Sequence, residues 1–215
     1  MTGSIVIAVD GPAASGKGTL ARKLAARYGF AYLDTGSLYR AVGHAVTSAG
    51  HDPSDDAAAL AAAQNLDLSR IDESAIRTAE AGAAASIVAA KPAVRAAILD
   101  LQRDFAHNPP EGLAGAVLDG RDIGTVVCPD ARAKLFVTAR PEIRARRRWL
   151  ELNKSGSDLT EAQVLDDIRE RDRRDAERAA SPMKPADDAH LLDTSDLSIE
   201  AAFGAAVAII DKALG

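Results

Sequence analysis

Residues 5–19 constrain the fold of this chain more than any other segment. A short apolar run ends in Asp10, and a glycine-rich turn, Gly-Pro-Ala-Ala-Ser-Gly-Lys-Gly-Thr, follows at residues 11–19. The turn leads into residues 20–27, whose apolar side chains repeat at helical spacing. A strand, a glycine-rich loop and a helix in this order typically bind phosphate, because backbone N–H groups and the positive end of the helix face the anion. The segment predicts a parallel α/β fold with a phosphate-binding loop.

The loop itself supplies the predicted triphosphate-binding residues. Lys17 is expected to bridge phosphate oxygens. The residue after the lysine is Gly18, so the first hydroxyl comes one position later than usual, and direct contact of Thr19 with Mg²⁺ is left open. A chance glycine-rich turn is the alternative, which the flanking elements disfavour. The residues concerned are Gly11, Pro12, Ala13, Ala14, Ser15, Gly16, Lys17, Gly18 and Thr19.

Further short apolar runs alternate with helical segments, which indicates parallel strands with crossover helices. The clearest runs are residues 116–118, 135–137 and 191–192. The expected strands end in polar residues, which would line one crevice at the carboxyl edge of the sheet. Each aspartate could instead simply begin a turn, and for Asp193 the two interpretations are equally good. These strand-end residues are Asp10, Asp34, Asp119, Thr138 and Asp193.

Charge and composition restrict the class of protein. The chain has 215 residues, 47% apolar, and a net charge of −5 with no long basic tract. Such a charge disfavours a nucleic-acid partner. The apolar run near the amino terminus is too short for a signal peptide or a membrane span, so we expect no membrane partner and a cytoplasmic location. The lone cysteine, Cys128, is expected to be a buried apolar residue, and the four histidines show no metal-ligand spacing.

Four motifs together resemble the bacterial cytidylate kinase family. A glycine rather than a hydroxyl residue after the loop lysine is typical of nucleoside monophosphate kinases. The others are Leu-Asp-Thr-Gly-Ser-Leu-Tyr-Arg at 33–40, Leu-Asp-Gly-Arg-Asp-Ile-Gly-Thr-Val-Val at 118–127 and Arg-Asp-Arg-Arg-Asp-Ala-Glu-Arg at 171–178. The resemblance runs from about residue 4 to residue 200. It implies an enzyme that transfers the γ-phosphate of ATP, with Mg²⁺, to CMP or dCMP.

The resemblance also implies a domain organisation. We expect one kinase domain over residues 1–215, with an α/β P-loop kinase core of five parallel strands formed by residues 1–35, 108–152 and 159–215. A monophosphate-binding lobe covers about 36–107, and a short lid covers about 153–158. The chain is shorter than its relatives around 66–76, where they have β-hairpin character, so the lobe is expected to be wholly helical. The protein is expected to act as a monomer.

The acceptor-binding residues are assigned from the resemblance. Arg121, Arg171, Thr35 and Arg40 are expected at the acceptor phosphate, and Arg can bind a phosphate through two N–H groups. Cytosine is expected to contact Asp122, Ser86 and Arg95, and the ribose hydroxyls Asp175 and Arg178. Taken alone, Ser86 would be a small residue of an Ala-rich helix, and Asp122 could form a local salt bridge to Arg121.

Arginines should converge on a phosphoryl-transfer site, because catalysis there is mostly positioning and charge neutralisation. Arg144, Arg147 and Arg148 lie at i, i+3 and i+4, hence on one helix face. We assign Arg144 and Arg148 to ATP, although a solvated charged face would give the same spacing. Asp119 ends an apolar strand and could orient Mg²⁺ directly or through water. The predicted catalytic residues are Lys17, Asp119, Arg121, Arg147 and Arg171.

Three alternatives remain at this stage. Another small-molecule kinase of the same fold, of the adenylate or shikimate type, would share the loop and the arginines. A nucleotide-dependent regulatory switch would also need the loop, but its hydrolysis of ATP would not respond to CMP. A non-catalytic relative is disfavoured by the presence of Lys17, Asp119 and the arginine clusters.

Overall fold

The computed structural model describes residues 3–67, 70–154 and 156–215. Its centre is a five-stranded, wholly parallel sheet with strand order β2-β3-β1-β4-β5. This confirms the predicted α/β sheet. The strands are β1 (Ile5–Asp10), β2 (Ala31–Asp34), β3 (Gly115–Gly120), β4 (Ala133–Thr138) and β5 (His190–Asp193).

Helices cover both faces of the sheet. The eight α-helices of the described residues are α1 (Lys17–Tyr28), α2 (Thr35–Ser48), α3 (Asp56–Gln64), α4 (Ala79–Val88), α5 (Pro92–His107), α6 (Pro141–Lys154), α7 (Glu161–Glu177) and α8 (Ile199–Leu214). Short 3₁₀ turns occur at Ala75–Arg77 and Pro110–Gly112, and one turn of π-helix at Ile123–Val127.

β1 lies in the middle of the sheet and joins its two cores. Val6 and Ala8 pack into the core beneath α2 to α5, whereas Ile7 and Val9 pack into the core beneath α1 and α8. Alternate side chains of a strand point to opposite faces, so a strand buried on both sides reads as a continuous apolar run. The end of β1, and with it the start of the glycine-rich loop, is therefore fixed from both faces.

The segment between β2 and β3 contains helices and turns but no strand among its described residues, as predicted for the shortened lobe. α2 and α4 approach closely because Gly43 of α2 faces Ala84 and Ala85 of α4. A Cβ on Gly43 would lie 2.9 Å from the Ala84 Cβ and 3.0 Å from the Ala85 backbone nitrogen. This contact places Ser86 of α4 near the carboxyl edge of the sheet.

α6 and α7 form a helical pair around a small apolar cluster of their own. Ala145 and Leu152 of α6 pack against Val164 and Ile168 of α7, and Ala14 of the glycine-rich loop joins the cluster. A capping box begins α7, with Thr160 and Gln163 exchanging side-chain and backbone hydrogen bonds. The predicted lid lies between these helices, and Ser155 within it falls outside the described residues.

The burial of Cys128 confirms one expectation about a single residue. Cys128 is fully buried, as predicted for a small apolar residue.

Across the described ranges, no single helix has the length and apolar character needed to cross a membrane. One bent pair of helices, residues 79–88 with 92–112, meets those criteria by length and composition only.

Gly43→Ala should destabilise the protein, because the new methyl group would meet backbone and Cβ atoms of α4 that cannot rotate away. We expect overpacking to lower the free energy of unfolding by about 1 to 3 kcal/mol, and the Tm by about 2 to 4 °C per kcal/mol. Gly204→Ala is the matched control, since Gly204 lies within α8 with no atom within 4 Å of an added Cβ. It should instead stabilise by about 0.5 to 1 kcal/mol. Equal Tm shifts in thermal melts would contradict the close packing of α2 on α4.

Candidate active site

A cleft of about 780 Å³ opens at the carboxyl edge of the sheet, and a smaller cavity of about 40 Å³ adjoins it. Of the predicted strand-end residues, Asp34 and Asp119 line the cleft. The expectation of one shared crevice is wrong for Asp10 and Thr138, which are not among the described lining residues. Asp193, for which a turn was an equally good interpretation, is also not among them, and it accepts hydrogen bonds from the Ser195 backbone and hydroxyl, as a turn-forming aspartate does.

The glycine-rich loop places Lys17 beside Asp119, with 3.7 Å between Lys17 Nζ and Asp119 Oδ1. Burial, and then the charge of Arg121, lowers the pKa of Lys17 to about 8, while Asp119 and Asp34 act in the opposite direction. Burial raises the pKa of Asp119, and Lys17 opposes that rise. Both groups therefore lie in a poorly solvated site where a charged ligand would interact strongly with them.

Close packing explains the glycine that follows the lysine. A Cβ at Gly18 would lie 3.1 Å from Asp119 Oδ2 and 3.9 Å from the Tyr32 hydroxyl. Tyr32 donates a 2.9 Å hydrogen bond to that same carboxylate oxygen. A larger residue at position 18 would displace this pair, so the departure from the usual loop pattern follows from the position of Asp119. Thr19 lines the cleft in the next position.

Of the three arginines predicted to share one face of α6, two contact the loop itself. Arg144 Nη1 donates to the Ala13 carbonyl at 3.3 Å, and its guanidinium forms a two-point ion pair with Asp172 of α7. Arg147 donates to the Ser15 carbonyl at 3.4 Å and to the Thr194 carbonyl at 2.7 Å. The described lining residues of both cavities include neither arginine. Arg144 and Arg147 thus contact the loop and do not line the described cavities.

The third arginine of that face does line the cleft. Arg148 is among the lining residues, and its guanidinium lies 2.9 Å from Glu151. Arg40 lines the same cleft from α2 and donates to the Ile76 carbonyl at 3.3 Å. Burial lowers the pKa of Arg40, and the nearby charge of Arg148 adds to that effect. Asp34 and Glu151 act in the opposite direction on the pKa of Arg40. Both cations therefore belong to the described lining of the cleft.

The smaller cavity is built around two buried carboxylates that face three arginines. Asp122 forms an ion pair with Arg95 and lies 3.6 Å from an Arg178 nitrogen. Asp175 lies 3.1 Å from Arg121 Nε. Burial raises the pKa of Asp175, but the charges of Arg121, Arg171 and Arg178 outweigh burial and hold that pKa below its usual value. Both acids sit at about 5% exposure, so their charges are poorly screened.

Some polar atoms of this cavity make no hydrogen bond within the described part of the protein. Ser86 Oγ and Arg171 Nε are buried without a hydrogen-bond partner, and Arg178 Nη2 has only its 3.6 Å ion-pair contact with Asp122. Buried polar atoms are normally hydrogen-bonded, so Ser86 Oγ and Arg171 Nε are available to a polar ligand. Burial, and then Arg121, lowers the pKa of Arg171. Arg121 and Arg171 line both cavities and so stand where the two meet.

Every residue predicted to bind the acceptor lines one of the two cavities, the set being Thr35, Arg40, Ser86, Arg95, Arg121, Asp122, Arg171, Asp175 and Arg178. Thr35 also has an internal role, because its hydroxyl donates to the Asp119 carbonyl at 2.8 Å. Among the loop residues, Ala13, Ala14, Lys17, Gly18 and Thr19 line the cleft.

Sequence reasoning missed several residues that organise the site. Tyr32 precedes the strand-end Asp34 by two residues and so shares its face of β2. This spacing was the sequence signal that could have placed Tyr32 near the site. Thr194 follows a strand-end residue and donates to the Ser15 carbonyl at 2.8 Å. Asp172 lies within the Arg-rich motif, one position after Arg171, which was the residue assigned a role. Asp10 was noted as a strand end only.

Lys17 should make nucleotide affinity depend on pH. A triphosphate beside it would raise its pKa from about 8, so the bound state holds the proton more tightly than the free protein. Affinity for a non-hydrolysable ATP analogue should therefore be full below pH 8 and fall by up to about tenfold per pH unit above it. Calorimetric titrations at several pH values, and in buffers of different ionisation enthalpy at pH 8, would measure this proton uptake. Lys17→Met should bind more weakly and lose the slope; an equal slope in both proteins would contradict the assignment.

Comparison with known proteins agrees with this geometry. The model of the family described as "Cytidylate kinase" matches residues 7–212. The cytidylate kinase of Xanthobacter autotrophicus is 61% identical over 96% of this chain and 97% of its own length, and that of Rhodospirillum rubrum is 60% identical over the same shares. The structure of an uncharacterized protein from Eubacterium ventriosum shares the fold, with a TM-score of 0.53 at 14% identity over 97% of this chain and 99% of that one. The chain belongs to the cytidylate kinase family.

Proposed function

We propose that this chain transfers the γ-phosphoryl group of ATP to CMP or dCMP, giving ADP and CDP or dCDP. The observation that supports this most directly is the junction of the two cavities at Arg121 and Arg171. One side of that junction holds the phosphate loop, and the other holds a pocket with buried acidic and basic groups. Two anionic ligands bound on either side would bring their phosphates together between these cations.

The donor triphosphate is proposed to bind in the large cleft. Backbone N–H groups of the loop and the positive end of α1 would hold its phosphates. Lys17 would neutralise charge on the phosphates, and Arg148 is the α6 arginine placed to assist. Arg144 and Arg147 would act through the loop, because their guanidinium groups contact its carbonyl oxygens. Of these three α6 arginines, Arg148 would therefore face the ligand, and Arg144 and Arg147 would support the loop.

The acceptor is proposed to bind with its base in the small cavity. Asp122 and Ser86 would face cytosine, with Arg95 fixing the Asp122 carboxylate. Asp175 and Arg178 would contact the ribose, and the phosphate would lie towards Arg40, Arg121 and Arg171. This arrangement places the Asp122 carboxylate, which can accept a hydrogen bond, where cytosine has an amine. The bases of other monophosphates differ from cytosine at that position.

The reaction requires no general base. A non-bridging oxygen of the acceptor phosphate is already anionic at neutral pH, and it forms a bond to the γ-phosphorus of ATP. The bond between that phosphorus and the β,γ-bridging oxygen breaks at the same time. ADP leaves with the bonding electrons. The protein's contribution is to align the two ligands, exclude water and neutralise charge on the transferred group. Lys17, Arg121 and Arg171 are the proposed cations for that neutralisation.

The residues present fit a Mg²⁺ ion carried in with the nucleotide. Within the described ranges, no cluster of three or more His, Cys, Asp or Glu side chains could hold a metal by itself. Asp119 nevertheless offers a buried carboxylate beside Lys17, and Thr19 a hydroxyl in the same cleft. Mg²⁺ in kinases binds one or two carboxylates together with substrate phosphates. Bound in this way, the ion would offset negative charge on the phosphates.

The domain assignments belong to the same proposal. Residues 36–107 would form the monophosphate-binding lobe and residues 153–158 the lid, which would close over the two substrates within one kinase domain. We propose a monomer, since residues of a single chain line both cavities. The net charge of −5 supports the absence of a nucleic-acid partner. A cytoplasmic location and the absence of a membrane partner, as expected from the sequence, complete the proposal.

An acceptor screen tests the proposed activity. In a coupled assay of ADP release at fixed ATP and Mg²⁺, CMP and dCMP should give the highest kcat/KM, with AMP, GMP and shikimate giving little turnover. A preference for AMP or shikimate would favour another kinase of this fold. ADP release that is equal with and without any acceptor would point instead to a nucleotide-dependent switch.

Asp122→Asn should change the choice of base. The amide can rotate to donate a hydrogen bond to the carbonyl of UMP, whereas the native carboxylate can only accept one from the amine of CMP. Loss of a charged hydrogen bond corresponds to about 1.5 to 3 kcal/mol, so the ratio of kcat/KM for CMP over UMP should fall by roughly ten- to a hundredfold. Asp104→Asn, an exposed carboxylate of α5, is the control. An equal loss on both substrates would show that Asp122 positions the turn instead of selecting the base.

A further inference from the structure

Asp10 links the phosphate loop to the turn that carries Arg121 and Asp122. It is the last residue of β1, and Gly11 begins the loop directly after it. Its carboxylate accepts one hydrogen bond from the Ile123 backbone N–H and another from that of Gly124, each at 2.8 Å. These bonds join positions 113 and 114 residues apart in the sequence. At 5% exposure, Asp10 makes them away from water, where they are strong.

The turn needs this acceptor because of its own geometry. Residues Ile123–Val127 form a single π-helical turn in which the Asp122 carbonyl accepts from the Val126 and Val127 N–H groups. The first N–H groups of such a turn have no partner inside it. Asp10 supplies an oxygen to each of them. An ionised carboxylate suits this place, because it offers two oxygens and no donor.

The surroundings leave the turn little freedom to shift. A Cβ added at Gly124 would lie 3.4 Å from Asp10 Oδ2 and 3.1 Å from the Lys134 side chain. On the other side of Asp10, the backbone of Gly11 lies against β4, since a Cβ there would be 2.0 Å from the Val137 carbonyl oxygen. The carboxylate is thus held between two backbone segments that are both tightly packed.

The bonds to Ile123 and Gly124 lie directly after the two residues that face the acceptor pocket. Arg121 contacts Asp175, and Asp122 contacts Arg95 and Arg178. A backbone shift in this turn would therefore change both sets of ion pairs. The phosphate loop begins directly after Asp10. The position of Asp10 therefore sets the distance between the phosphate loop and the Arg121–Asp122 turn, the two parts of the protein that would hold the two phosphates.

We propose that Asp10 is a positioning residue for phosphoryl transfer, which keeps the Arg121–Asp122 turn in register with the phosphate loop. This inference rests on the proposed function. It assigns Asp10 no contact with either nucleotide. Its effect should appear in acceptor binding and in turnover, because transfer requires alignment of the two phosphates to within a fraction of an ångström.

Asp10→Asn tests the proposal, since it keeps the shape of the side chain but sets an amide donor against one of the two N–H groups. We expect a folded protein whose kcat on CMP is about ten- to a hundredfold lower and whose CMP dissociation constant is raised several-fold. The dissociation constant of a non-hydrolysable ATP analogue should stay within about threefold of the native value. Calorimetry gives both constants without turnover. Asp193→Asn is the matched control, a strand-end aspartate that bonds a backbone N–H outside the site.

Each outcome bears on the proposal. Native kcat and CMP affinity in Asp10→Asn would overturn it, and so would equal losses of CMP and ATP-analogue affinity, which indicate a general structural role. If Asp10→Asn does not fold, Asp10→Glu retains both oxygens on a longer stem and should show the same split in affinities. Failure of both variants to fold would also overturn the positioning role. A native chain that phosphorylates no monophosphate would refute the proposed function itself, a result seen before any variant is made.

Discussion

Repulsion among buried cations is the interaction on which the site depends. Burial, and then the charge of Arg121, lowers the pKa of both Lys17 and Arg171, and the charge of Arg171 adds to the effect on Lys17. Asp119 and Asp175 offset part of this repulsion. Such a cluster is unfavourable by itself and becomes favourable when phosphates enter it. The carboxylates therefore keep the arrangement folded, and the unused positive potential attracts the ligands.

The same balance explains why the site lies where the sheet puts it. β1 is buried on both faces, so the loop after it begins from a fixed point. Arg144 and Arg147 then donate hydrogen bonds to the Ala13 and Ser15 carbonyl groups of the loop. Side chains more than a hundred residues away in the sequence therefore help to hold the loop in place. Arg144 also binds Asp172, so the loop is tied to α7, the helix that carries Asp175.

Local signals made the fold and much of the cleft predictable. The strand, glycine loop and helix at residues 5–27 are specified by neighbouring residues, and the alternation of apolar runs gave the remaining strands. Helical spacing grouped three of the α6 arginines, Arg144, Arg147 and Arg148, but spacing does not state what a helix face contacts. Two of these three contact the loop instead of lining the cleft. Tyr32 and the Asp10 bonds depend on which strands become neighbours, which no local pattern encodes. The acceptor residues came from family resemblance.

The burial of Cys128 has a practical consequence for observing motion in this protein. It is the sole cysteine of the chain, it is fully buried, and burial raises the pKa of its thiol to about 11. Maleimide dyes react with thiolates at accessible positions, so the native protein should remain unlabelled under ordinary conditions. Cysteines substituted on the outer faces of α3 and of α7 would then carry a donor and an acceptor fluorophore, and Cys128 would not have to be replaced. Single-molecule energy transfer could follow the separation of these helices through a catalytic cycle.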